Sequence, residues 1–171
     1  MKTTYPENWP QFFTATIHGW KHLLKDDKYK VVIINCLDYL VKNGRVKINA
    51  FVIMSNHIHL IWQADAGNNL MDVQTSFKKF TSQQFIKLLK QDDRLNSYEV
   101  NSADRKHHFW KRNSLGIELF TVGVFKQKLD YIHYNPVYAG ICNYPEEYRY
   151  SSAIFYDKNI DEFGILEHYM S

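Results

Sequence analysis

The chain has 171 residues, a length that suits one domain built on one core. Apolar residues make up 45% and aromatics 16%, which excludes a disordered chain. A formal charge of +3 is mildly basic, so nucleic acid is a permitted partner, but there is no polybasic arm that would demand one.

Cys36 and Cys142 belong to no Cys-x-x-Cys pair and sit among apolar or helical residues, so a reduced compartment is expected rather than a disulfide scaffold. Met1 to Pro10 carries no apolar leader core, and runs such as Val31 to Ile34 are too short to span a bilayer. The expectation is a soluble, cytoplasmic protein.

In chain order, Gln11 to Ile17 is rich in Phe and Thr and reads as a strand. A helix is expected over about 27–42, because Ile33, Ile34, Leu37, Leu40 and Val41 share one helical face, with Gly44 as its stop. Val46 to Met54 is a second strand, Ser55-Asn56 a tight connection, and His57 to Gln63 a third strand. A second helix runs over about 70–90, with Lys78 and Lys79 off its apolar stripe. The polar stretch from Gln91 to Lys106 reads as a loop, and His107 to Lys111 as a fourth strand. A last helix spans about 122–134, where Pro136 should end it and disfavour helical geometry at Asn135. Beyond it, an irregular tail offers Tyr144, Tyr148 and Tyr150 to pack on the core. This order is the split β-α-β pattern. It predicts an α+β, ferredoxin-like antiparallel sheet in one domain, helices on one face, and the active site on the open face.

Two segments carry chemistry. In His57-Ile58-His59 the two imidazoles project to one side of a strand, their Cβ atoms roughly 7 Å apart, while Ile58, Leu60 and Trp62 face the core. Neutral imidazoles that converge are a natural divalent-metal site, although a bare His-x-His also occurs as two ordinary polar residues on a half-exposed strand. On the last helix, Phe125, Leu129 and Ile132 form the buried stripe, and Tyr131 lies roughly 130° away from it. Asn135 and Lys128 flank Tyr131 at i+4 and i−3. A phenol nucleophile, an amide oxygen for a metal and an ammonium for phosphate charge together suit phosphoryl transfer. Tyr134, about 60° round the helix, is a rival nucleophile. Lys78, Lys79, Lys111 and Arg112 are further candidates to hold a DNA strand, beside Trp110 for stacking.

These segments look familiar together. Phe51-Val52-Ile53-Met54-Ser55-Asn56-His57-Ile58-His59-Leu60-Ile61 resembles the His-hydrophobe-His strand of single-tyrosine transposases. The run from Gln127 through Tyr131-Ile132-His133-Tyr134-Asn135-Pro136-Val137, with Ala139-Gly140-Ile141 after it, resembles the tyrosine helix of the REP-associated tyrosine transposases. Tyr138 departs from that pattern, standing where an arginine is expected. The resemblance implies that His57, His59 and Asn135 ligate a divalent metal, Mg²⁺ or Mn²⁺. It further implies that Tyr131 forms a 5′-phosphotyrosine link at single-stranded or hairpin DNA of REP-like repeats. Such an enzyme would be a monomer or homodimer, working in the cytoplasm at the nucleoid. Two other readings stay open: a catalytically silent hairpin-binding protein, and a phosphodiesterase that uses water as nucleophile.

Overall fold

The computed structural model describes residues 6–171, so the leader reading of Met1 to Tyr5 lies outside the described residues. Strand β1 (Gln11–Thr16) leads to helix α1 (Asp27–Lys42), then to the hairpin of β2 (Val46–Ile53) and β3 (His57–Ala64). Helix α2 (Leu70–Gln91), strand β4 (Leu115–Glu118), helix α3 (Val122–Tyr138) and helix α4 (Ala153–Lys158) follow. The four strands form one antiparallel sheet in the order β2-β3-β1-β4. The α+β class and the antiparallel sheet are as the sequence leads one to expect.

Local chemistry fixes the boundaries. Asp26 caps α1 by accepting from the Lys28 amide, and Gly44, at φ +62°, takes the left-handed conformation that ends that helix. Asn69 and Thr121 cap α2 and α3 in the same way through their side-chain oxygens.

The fourth strand is displaced from its expected place. His107 to Lys111 makes only isolated bridges, Trp110 to Ile17 and His107 to Glu99, and the strand proper lies at Leu115–Glu118, paired with Gln11–Thr14. The 107–111 segment is instead held by its side chains. Phe109 and Trp110 are buried, and the Trp110 indole donates to Thr81 Oγ1 at 2.9 Å.

The sheet is covered on both faces. Phe13, Ala15, Ile58, Leu60 and Trp62 join α1 and α2 in the larger core, which includes Ile33, Leu37, Phe77 and Phe85. Phe12, Ala50, Val52, Met54 and Ile61 point the other way and pack against Phe125, Leu129 and Ile132 of α3. The face expected to be open is therefore partly roofed by α3, whose apolar stripe needs somewhere to go. A bulge between Ile48 and Ala50 makes this possible. It shifts the side-chain parity of β2, so Val46 and Ile48 serve the first core with Phe51 and Ile53, while Ala50 and Val52 serve the second.

Helix α3 does not stop before Pro136. It runs to Tyr138, with Pro136 buried inside it. Proline costs one N–H donor, but the next turn closes through Ala139 N–H to Asn135 O (3.1 Å) and Ile141 N–H to Pro136 O (3.0 Å). Asn135 thus stays helical, one turn from Tyr131.

The tail seals the outer edge of β2. Ser152 N–H donates to Phe51 O at 2.9 Å, and Ser152 Oγ accepts from the Phe51 amide at 3.0 Å. That hydroxyl also meets His133 Nε2 at 2.8 Å, and Tyr148 Oη donates to Ile53 O at 2.6 Å. Ser152→Ala would leave the His133 nitrogen and the Phe51 amide short of a partner at a buried site. It should cost about 1–3 kcal/mol, read as a lower midpoint in urea unfolding with an unchanged slope.

Candidate active site

The site begins with the pleat of β3. Ile58 and Leu60 are fully buried in the first core, which forces His57 and His59 onto the α3 side. Their ring centroids lie 4.9 Å apart. His59 faces Thr14 across the β1–β3 ladder, and Thr14 Oγ1 sits 2.7 Å from its Nδ1. His57 Nδ1–H donates to Asn56 Oδ1 at 2.7 Å, and the Asn135 side chain lies close enough to the same imidazole to favour its charged form. Phe12 stacks on His59 at 5.4 Å and forms one wall.

Tyr131 enters from α3. Its ring lies edge-on to His59 at 5.2 Å and to Phe12 at 5.9 Å, yet the residue is 47% exposed. The Lys128 ammonium sits over Phe12 at 4.9 Å and 5.9 Å from the Tyr131 ring centre. Tyr134 points elsewhere, its ring paired with Tyr138. The structure therefore gathers His57, His59, Tyr131, Asn135 and Lys128 in one place.

Burial keeps the imidazoles neutral. It pushes His59 down to about 3, helped by the neighbouring His57 and the Lys128 charge. Burial also lowers His57, against the opposing effect of the nearby Asn135 side chain, which favours the charged ring. A neutral imidazole that donates through Nδ1 offers the lone pair on Nε2, the state a metal ligand needs. The donor set of two such nitrogens and one amide oxygen fits a divalent cation with room for water and phosphate oxygens. Among the described residues no cluster of three or more His, Cys, Asp or Glu offers a rival metal site.

The other candidate cations gather elsewhere. Lys78 and Lys79 of α2 line a groove of about 950 Å³ with Arg105, His108, Lys111 and Arg112. It lies beside the helix-covered core, not on the His57–His59 face. Arg112 pairs with Asp104 at 3.2 Å, and the Lys111 ammonium lies 3.7 Å above the exposed Trp20 ring. The groove nevertheless approaches the histidine end of the sheet. Lys111 N–H donates to Thr16 O, and Thr16 faces His57 across the ladder.

Sequence reasoning missed Thr14, Phe12 and Asn56 as supports of the site. Asn56 was adjacent to His57 in the chain, but Thr14 and Phe12 become neighbours of His59 only once the β1–β3 register is known.

Comparison with known proteins gives the family and the fold on which this half-exposed tyrosine and these paired histidines sit. The family model "Transposase IS200 like" matches residues 16–134, so the chain belongs to the IS200-like transposase family. Its fold is that of a REP-associated tyrosine transposase. The solved structure of such a protein, bound to a REP hairpin, superposes with TM-score 0.65 at 16% identity, covering 100% of this chain and 98% of that one. A candidate transposase of Deinococcus radiodurans R1 is more distant, at TM-score 0.49 and 12% identity over 77% of this chain and 95% of that one. No curated protein matches by sequence. Among the described residues no helix is long and apolar enough to cross a membrane.

The neutral imidazoles have a consequence for stability. His133, pushed down to about 4 by burial, behaves like His59. In the unfolded chain both take up protons below about pH 6.5, whereas the folded chain resists until about 3–4. Their contribution is complete above pH 6.5 and is lost as pH falls through that window. The melting temperature in EDTA should fall steadily from pH 7 to pH 4.5, and a flat profile would contradict buried neutral imidazoles.

Proposed function

We propose that this chain is an enzyme that nicks and rejoins single-stranded DNA beside REP-like hairpins, with Tyr131 as nucleophile. It uses a divalent cation, Mg²⁺ or Mn²⁺, held by His57, His59 and Asn135. The observation that carries the reading is the half-exposed Tyr131 ring lying 5.2 Å from His59. Membership in the IS200-like transposases supports DNA as the substrate, and the hairpin-bound relative supports the hairpin.

Tyr131 Oη attacks the scissile phosphorus while the bond to the 3′-oxygen breaks. The DNA 5′-phosphate becomes linked to the phenol, and the 3′-oxygen leaves as a hydroxyl. Attack by a second strand's 3′-hydroxyl reverses the step, restores the phenol and joins new ends without a nucleotide cofactor. A cation at the histidine pair supplies Lewis acidity to the phosphate. Lys128 places a positive charge beside the phenol and the incoming phosphate, offsetting the negative charge that develops there. Imidazole-rich sites favour Zn²⁺ in general; Mg²⁺ or Mn²⁺ is proposed here on the resemblance to the single-tyrosine transposases, with water and DNA oxygens completing the shell.

The phenol meets the imidazoles of its own chain, so one chain carries a whole site. This favours a monomer, or a homodimer with two separate sites, over one that exchanges tyrosine helices. An enzyme of this kind works where the genome is, in the cytoplasm at the nucleoid. The groove of Lys78, Lys79, Lys111 and Arg112 holds the DNA backbone, the role that fits its charge.

With a labelled hairpin carrying a single-stranded flank and Mn²⁺, a covalent protein–DNA adduct should appear on a denaturing gel. It should vanish with Tyr131→Phe and drop at least a hundredfold in rate with His59→Ala. Cleavage that survives Tyr131→Phe would point to water as the nucleophile, and hairpin binding without any adduct would point to a silent binding protein. Separately, Lys79→Gln should weaken hairpin binding at low salt and flatten the log–log salt dependence by about 0.9 for the lost phosphate contact. An unchanged slope would remove Lys79 from the DNA path.

A further inference from the structure

The outer face of α3 continues beyond the nucleophile. Tyr131, Tyr134 and Tyr138 fall within an arc of about 60° on the helical wheel, because α3 passes through Pro136 without breaking. Tyr134 is 44% exposed and Tyr138 80% exposed. Their rings adjoin, with centroids 6.0 Å apart and planes inclined by 33°. Two adjacent phenols left this open contribute little to the core, whose α3 contacts are Phe125, Leu129 and Ile132.

We infer that Tyr134 and Tyr138 form a base-stacking platform for the single strand that leaves the phosphate held at Tyr131. This rests on the strand-transfer reading above and adds a binding surface to it. Three features favour a single strand as the occupant. The platform is continuous with the nucleophile, being the same face of the same helix. The axial steps are about 4.5 Å from Tyr131 to Tyr134 and about 6 Å from Tyr134 to Tyr138, which lies between the roughly 3.4 Å of stacked nucleotides and an extended strand. Exposed aromatic rings bind unpaired bases without regard to sequence, because every base presents a π-face. Lys128, on the near side of Tyr131, places a cation where the backbone enters. The groove on α2 then serves the backbone of the hairpin, and the α3 face serves the bases of its flank.

The test compares binding of three fluorescent DNAs in EDTA: a hairpin with a single-stranded flank, the same hairpin without it, and one whose flank is abasic. Wild type should bind the flanked hairpin tightest. Tyr134→Ala/Tyr138→Ala should lose roughly five- to hundredfold on that DNA and nothing on the other two. Tyr134→Phe/Tyr138→Phe should bind like wild type, because stacking needs the ring and not the hydroxyl. Equal losses on all three DNAs, no loss on any, or a Phe pair as weak as the Ala pair would each overturn the platform. Adduct formation by wild type with Mn²⁺ is scored alongside. Ring-dependent flank binding without any adduct would sink the strand-transfer reading and leave the platform standing.

Discussion

The two-residue period of β3 sets everything else. Ile58, Leu60 and Trp62 are wanted by the core under α1 and α2, and once they are placed the intervening His57 and His59 have one face left to them. That face is not bare, because α3 brings its own apolar stripe onto Phe12, Val52 and Ile61. The imidazoles are therefore trapped between a sheet and a helix, and burial there keeps them uncharged. For the proposed cation site, packing alone would supply neutral nitrogen donors, without a carboxylate to tune them.

The same packing decides which phenol is available. Leu129 and Ile132 dock on the sheet, so Tyr131 is turned onto the histidines, while Tyr134, further along the same outer face, meets Tyr138 instead. Pro136 is accommodated because the turn beyond it finds other carbonyls, which holds Asn135 in line with Tyr131. The tail beyond α3 closes the edge of β2 with Ser151 and Ser152 and fastens His133 through a hydroxyl. Sheet, helix and tail thus fix the geometry of one small polar site from three directions, as the proposed reaction would require.

Much of this was legible in the sequence because the local patterns were strong. The stripe of α1, the alternation of β3 and the offset of Tyr131 each follow from periodicity alone. The failures have physical causes. His107 to Lys111 has strand-like composition, but its aromatics are spent on the core, and the pairing with β1 falls to the less apolar Leu115–Glu118. The proline rule weighs the missing donor of Pro136 and its effect on Asn135, but not the turn beyond it, which closes through the carbonyls of Asn135 and Pro136. The bulge between Ile48 and Ala50 is marked in the sequence only by the change from alternation up to Asn49 to the apolar run from Ala50 to Met54. Thr14 and Phe12 could not be joined to His59 without the register, which is a long-range property. Charge alone did not reveal that Lys78, Lys79, Lys111 and Arg112 share a groove apart from Tyr131.

The central claim is that two imidazoles, one amide and one phenol of a single chain surround a common ion. Anomalous diffraction from crystals soaked in Mn²⁺ tests it most directly. The account expects one strong peak between the Nε2 atoms of His57 and His59, next to Asn135 and in front of the Tyr131 hydroxyl, and expects it to vanish in His59→Ala. A manganese peak elsewhere on the chain, or a histidine pair that stays empty at saturating Mn²⁺ with the Tyr131 ring in place, would contradict it.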